Sequence, residues 1–154
     1  MRARAAGVAG LALVLFLAPA AAAQSRWEPG VTSVSTFGEE RTSTIGPTLG
    51  WRPGWRDRLV GGVGVGIESG GHAAGRGELI YHVLLSPGSQ GLGLYGGGGL
   101  ALLLTEETRG LVQLLIGLEH APGGRDGWHA ELGVGSGVRL AFGYRWRLGD
   151  PQRR

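Results

Sequence analysis

The sequence contains no cysteine and no lysine, and beyond its first two dozen residues no apolar run reaches the roughly 18 residues of a membrane-crossing helix. Each absence excludes something. Without cysteine there is no disulfide framework, no thiolate chemistry and no cysteine to carry a lipid. Without lysine a phosphate-binding loop cannot be completed, and Gly61-Gly62-Val63-Gly64-Val65-Gly66 and Gly96-Gly97-Gly98-Gly99 also lack the strand-to-helix setting such loops need. They read instead as glycines lining a strand face. The four histidines, His72, His82, His120 and His129, show no H-E-x-x-H pattern and no metal-ligand spacing. No metal and no cofactor is therefore expected. The formal charge is +3, and Arg2 and Arg4 supply two of those charges, which gives no support for a nucleic-acid partner.

The N-terminus is built like a secretory leader. Arg2 and Arg4 precede the apolar run Gly7 to Ala18, Pro19 breaks it, and Ala21-Ala22-Ala23 offers a small-residue cleavage site before Gln24. Residues 1–23 are expected to be a signal peptide and residues 24–154 a single domain. That domain holds most of the 32 glycines, which follow no collagen-like period and make poor helices. An all-β chain remains.

Eight segments have strand character: 31–37, 42–51, 59–68, 77–85, 92–104, 111–119, 128–134 and 138–148. The last, VRLAFGYRWRL, sets Val138, Leu140, Phe142, Tyr144, Trp146 and Leu148 against Arg139, Ala141, Gly143, Arg145 and Arg147. The third opposes Leu59, Val63, Val65 and Ile67 to Gly62, Gly64, Gly66 and Glu68, and the others alternate similarly. Short polar reversals separate the segments, so the predicted architecture is an eight-stranded antiparallel up-and-down β-barrel. Its closure depends on the Ser- and Thr-rich first strand pairing with the last.

The two faces decide which way the barrel is turned. Facing water, the second face would be glycine with a few charges, which solubilises poorly. Turned inward, its glycines leave room for long polar side chains, while the Leu, Val and Ile face meets lipid. The expected lumen charge network comprises Glu68, Glu78, Glu119, Glu131, Arg139, Arg145 and Arg147, with Glu131 and Arg139 brought together by neighbouring strands. Trp51, Trp55, Trp128, Tyr144 and Trp146 lie at strand ends or in turns, where an interfacial girdle is expected. A soluble lipocalin- or avidin-like barrel and a two-sheet sandwich are the alternatives.

At this point the chain resembles the small eight-stranded outer-membrane barrels of Gram-negative bacteria, the OmpA transmembrane-domain type. The likeness is one of pattern over residues 24–154 and includes an aromatic-rich final strand, Phe142 to Leu148. It implies a transmembrane barrel in the cell outer membrane, with outer-membrane lipid and the barrel-assembly machinery as partners. The outer-membrane lipid A deacylases carry an H-x-S signature, where this chain has His120-Ala121-Pro122 and His129-Ala130-Glu131. No catalysis is expected, and the predicted role is structural or small pore-forming. A soluble periplasmic barrel binding an apolar ligand, or a lipid-modifying barrel enzyme, are the other readings.

Overall fold

A computed structural model describes residues 27–38, 41–54, 56–86 and 91–148. The expected leader and Trp55 lie outside the described residues. Eight strands follow one another: β1 (Trp27–Gly38), β2 (Thr42–Trp51), β3 (Asp57–Glu68), β4 (Ala73–Leu84), β5 (Leu92–Leu104), β6 (Thr108–His120), β7 (Asp126–Val134) and β8 (Gly137–Trp146). Each pairs antiparallel with the next, and β1 pairs with β8 to close the barrel. The Ser- and Thr-rich first strand is no weak link. It pairs with β8 from Gly30 opposite Arg145 to Gly38 opposite Gly137, and from Gly30 to Thr36 each of its residues has a cross-strand partner on both sides.

Several strands extend further than their apolar pattern predicts. β1 begins at Trp27 rather than Val31, and β3 at Asp57 rather than Leu59. β4 begins at Ala73 rather than Gly77. The glycine- and alanine-rich stretch before Gly77 contributes a reversal only over residues 69–72, where Gly71 takes the left-handed φ of 80°. Ala73 and Arg76 already pair with Ile67 and Gly64. β8 ends at Trp146 rather than Leu148, and beyond it Leu148 makes one bridge back to Trp27. Within β2, Pro47 has no N–H to donate, and the β2–β3 ladder is interrupted between the Ile45–Val65 and Thr48–Gly62 pairs.

Burial is inside out relative to a water-soluble protein. Val65 is 73% exposed and Leu114 63%, and Leu, Val and Ile side chains cover the outer surface of β3 to β8. The buried positions hold more polar and charged side chains than apolar ones. A contiguous apolar surface of this extent marks a membrane or protein contact.

The two rims differ. Call proximal the rim that carries Trp27 and Trp146, and distal the rim that carries the β1–β2 connection. With strands alternating in direction, Trp27, Trp51, Tyr81, Trp128, Tyr144 and Trp146 all fall toward the proximal rim on the outer face. Trp128 stacks between His120 and Phe142, and Tyr144 packs edge-on to Trp146. Two tyrosine hydroxyls donate to carboxylates there, Tyr81 to Asp57 at 2.6 Å and Tyr144 to Asp126. At the distal rim the outer face has Phe37 as its aromatic, so the girdle is one-sided among the described residues.

Candidate functional site: the charged bore

The period of two that turns Leu, Val and Ile outward turns every second residue into the bore. Three of the inward side chains are rings: His82, Tyr95 and His129. Each sits opposite a glycine on the next strand: Gly97, Gly117 and Gly143, respectively. A Cβ on Gly117 would overlap the Tyr95 ring, and one on Gly97 or Gly143 would run into the imidazole beside it. These glycines thus leave the space that the rings occupy, and Tyr95 is completely buried.

Around the rings, charged groups run continuously from the proximal mouth to the distal third. At the proximal end Glu28 and Glu119 are ringed by four guanidiniums. Arg52 reaches Glu28 at 2.7 Å and Glu119 at 3.1 Å, and Arg58 donates to Glu119 at 2.6 Å. Arg145 lies 3.2 Å from Glu119, and Arg147 donates through Nε to Glu28 at 3.0 Å. Arg52 follows β2, outside the strands, where burial lowers its basicity against the pull of Glu28. A guanidinium nonetheless stays charged at neutral pH.

In the middle, Arg58 donates to His82 Nδ1 and Arg145 Nε donates to His129 Nδ1 at 3.3 Å. An accepting Nδ1 leaves the proton on Nε2 in both neutral rings, a tautomer assigned from these partners. His129 Nε2 then donates to Thr32 Oγ1 at 3.3 Å, while His82 Nε2 points toward Glu131 at 3.6 Å, too far for a direct bond. Tyr95 donates to Glu131 at 2.8 Å, and the Arg58 guanidinium lies 5.0 Å from the Tyr95 ring centre.

Toward the distal end the two signs alternate. Arg139 donates to Glu131 at 2.6 Å and to Glu78 at 3.2 Å. Glu78 also accepts from Arg76 Nε at 2.9 Å, and Arg76 donates to Gln113 at 2.8 Å. Such pairs inside a protein-walled bore recover their desolvation cost only when both partners are present and hydrogen bonded.

The structure thus brings Glu78, Glu119, Glu131, Arg139, Arg145 and Arg147 of the expected lumen residues into one connected set. Glu68 stands apart. It ends β3 at the distal rim, where the tight 68–72 turn folds His72 back onto it at 3.0 Å, with Glu106 of the β5–β6 connection 3.7 Å from the same ring nitrogen. Glu28, Arg52, Arg58, Arg76, His82 and His129 belong to the set but were not among the expected residues. Their signal is phase: Arg58 continues the even-numbered face of Gly62 to Glu68, and Arg76 that of Glu78, Ile80 and His82. His120 faces outward and stacks on Trp128. Trp51, Trp128, Tyr144 and Trp146 lie toward the proximal rim on the outer face.

Two small cavities lie among the inward side chains. A cavity bordered by Glu28, Thr32, His82, His129, Glu131 and Arg145 measures about 20 Å³, and a second, beside Thr44, Arg76 and Glu78, about 10 Å³. Each holds roughly one water molecule.

No protein-family model matches the sequence, and no curated protein matches it. Among solved structures, the chain is similar to the N-terminal β-barrel domain of Pseudomonas aeruginosa OprF, with a TM-score of 0.61 and 13% identity over 81% of this chain and all of that one. It is likewise similar to Neisserial surface protein A (NspA), with a TM-score of 0.58 and 11% identity over 80% of this chain and 97% of that one. At these identities the likeness is one of fold, the eight-stranded barrel.

Proposed function

We propose that this chain is an exported outer-membrane barrel that crosses the bilayer with its eight strands and serves a structural role in the cell envelope, its bore closed by the charge network and without catalysis. Residues 1–23 act as the export signal on this reading. Outer-membrane lipid surrounds the barrel, and the barrel-assembly machinery inserts it, reading the final strand that ends at Trp146. The observation that carries the proposal is the pairing of a lipid-compatible outer face with an interior of buried ion pairs. The fold shared with OprF and NspA supports it.

A pore needs a continuous aqueous path, whereas the two cavities that border the charge network each have room for about one water. A soluble barrel carrying an apolar ligand needs an apolar cavity, whereas here Glu28, Glu131 and Arg145 border the space at the centre. His82 and His129 belong to the plug on this reading, each accepting from an arginine. Phospholipid vesicles reconstituted with the folded chain test the closed bore. They are expected to retain a small sugar as protein-free vesicles do, and rapid release would show a pore instead.

A further inference from the structure

Among the described residues the charges in the bore do not balance, and the imbalance lies at one end. In the distal half, Arg76 and Arg139 face Glu78 and Glu131, two of each sign. In the proximal half, Arg52, Arg58, Arg145 and Arg147 face Glu28 and Glu119 alone among the described residues, leaving two positive charges in excess. Uncompensated charge in a low-dielectric interior is costly. Both carboxylates are already shared among the arginines, so a further anion is what would balance the cluster.

The excess sits where a solute can reach it. Arg52 and Arg147 keep 14% and 12% of their side-chain surface accessible, whereas Arg58, Arg139 and Arg145 are almost fully enclosed. Two donors at this mouth are also left over. Arg147 Nη2 is enclosed 3.7 Å from Glu119 and makes no hydrogen bond, and Arg52 Nε, though 2.7 Å from Glu28, is not aligned to make one. The Arg147 fork is held in place from behind, because its Nη1 donates to the carbonyl oxygens of Ala121 and Gly124, both at 2.9 Å.

We infer that the proximal mouth binds a phosphate-type oxyanion between Arg52 and Arg147. Two guanidinium forks at one mouth, each with part of its side chain accessible, match an oxyanion with several acceptor oxygens better than a halide, which has no directional fit to a planar fork. The phosphate is either a free ion or the headgroup of a phospholipid at the aromatic rim. The site depends on the charge count at this mouth and not on the bore being closed.

The test uses the full chain, folded in nonionic detergent, and calorimetric titration with sodium phosphate replacing chloride at constant ionic strength. The expected result is saturable binding of one phosphate per chain. Arg52→Gln and Arg147→Gln each raise the half-saturating concentration about 10-fold or more. Arg41→Gln at the distal rim leaves it unchanged. A second arm replaces phosphate with short-chain phosphatidylglycerol in the micelle. Tighter binding there identifies the headgroup as the source and weaker binding the free ion, and either supports the site. Mobility of the unboiled protein on a gel shows that each variant is folded. Should the glutamine variants not fold, Arg52→Lys and Arg147→Lys keep the charge, remove the planar fork and are expected to weaken phosphate several-fold. A response that follows ionic strength alone, or is the same for chloride, shows a diffuse counterion only and overturns the inference. So does undiminished phosphate binding in the arginine variants.

Discussion

Glu131 is the point at which the ion-pair account of the bore is most exposed to failure. Its carboxylate accepts from Arg139 at 2.6 Å and from Tyr95 at 2.8 Å, and both partners are enclosed. Glu131→Gln keeps the shape and an amide oxygen that can still accept from Tyr95, but it removes the charge opposite Arg139. Breaking one partner of a buried pair costs about 3–5 kcal/mol. Arg139 retains Glu78 at 3.2 Å, so the lower end, about 3 kcal/mol, is expected. That is roughly two powers of ten in the folding equilibrium. Removing both charges, in Glu131→Gln with Arg139→Gln, is expected to recover most of the loss, because Glu78 keeps Arg76 at 2.9 Å and no ion is left alone. The assay is urea-driven unfolding in phospholipid vesicles, followed by tryptophan fluorescence and by gel mobility of unboiled samples. A single-variant cost under about 1 kcal/mol, or a double variant no more stable than the worse single variant, would refute the reasoning, because an independent surface-like pair behaves in that way.

Two further perturbations separate packing from patterning. Gly117→Ala places a methyl group against the enclosed Tyr95 ring and is expected to cost about 1–3 kcal/mol, whereas Gly77→Ala meets nothing within 4 Å and is expected to be nearly neutral in the same unfolding assay. Leu114→Arg, at the middle of β6 on the outer face, is expected to cost about 2–4 kcal/mol in vesicles, against about 0–1 for Leu92→Arg near the proximal rim. Equal costs at the two depths would mean that this face does not contact lipid.

Much of the barrel is legible in the residue pattern. Strands such as β3, β6 and β8 announce themselves because Leu, Val and Ile alternate with glycine or single polar residues over many positions. The pattern fades where strands begin with charge. Arg58, Arg76 and Glu28 look like loop residues by type, since charged side chains beside Gly and Pro suggest a reversal in a protein whose core is apolar. In this barrel the core is polar, so the same residues extend the strands inward, and only their even-numbered phase reveals it. The one-sided girdle follows from topology rather than composition. Trp51 ends β2, Trp128 lies near the start of β7 and Trp146 ends β8, and alternating strand direction carries all three to one rim. The partner of each charge needs the register itself: Glu131 and Arg139 lie on adjacent strands, whereas Arg58 and Glu119 meet across the bore from β3 and β6.

Whether the outer face meets a bilayer is tested most directly by cell fractionation followed by gel migration before and after boiling. The chain is predicted to sediment with the outer membrane, to need detergent for extraction, and to migrate differently until boiled, because a closed barrel of hydrogen-bonded strands resists unfolding in the cold gel. Recovery of the chain in the soluble periplasm without detergent, with the same mobility boiled or unboiled, would contradict it.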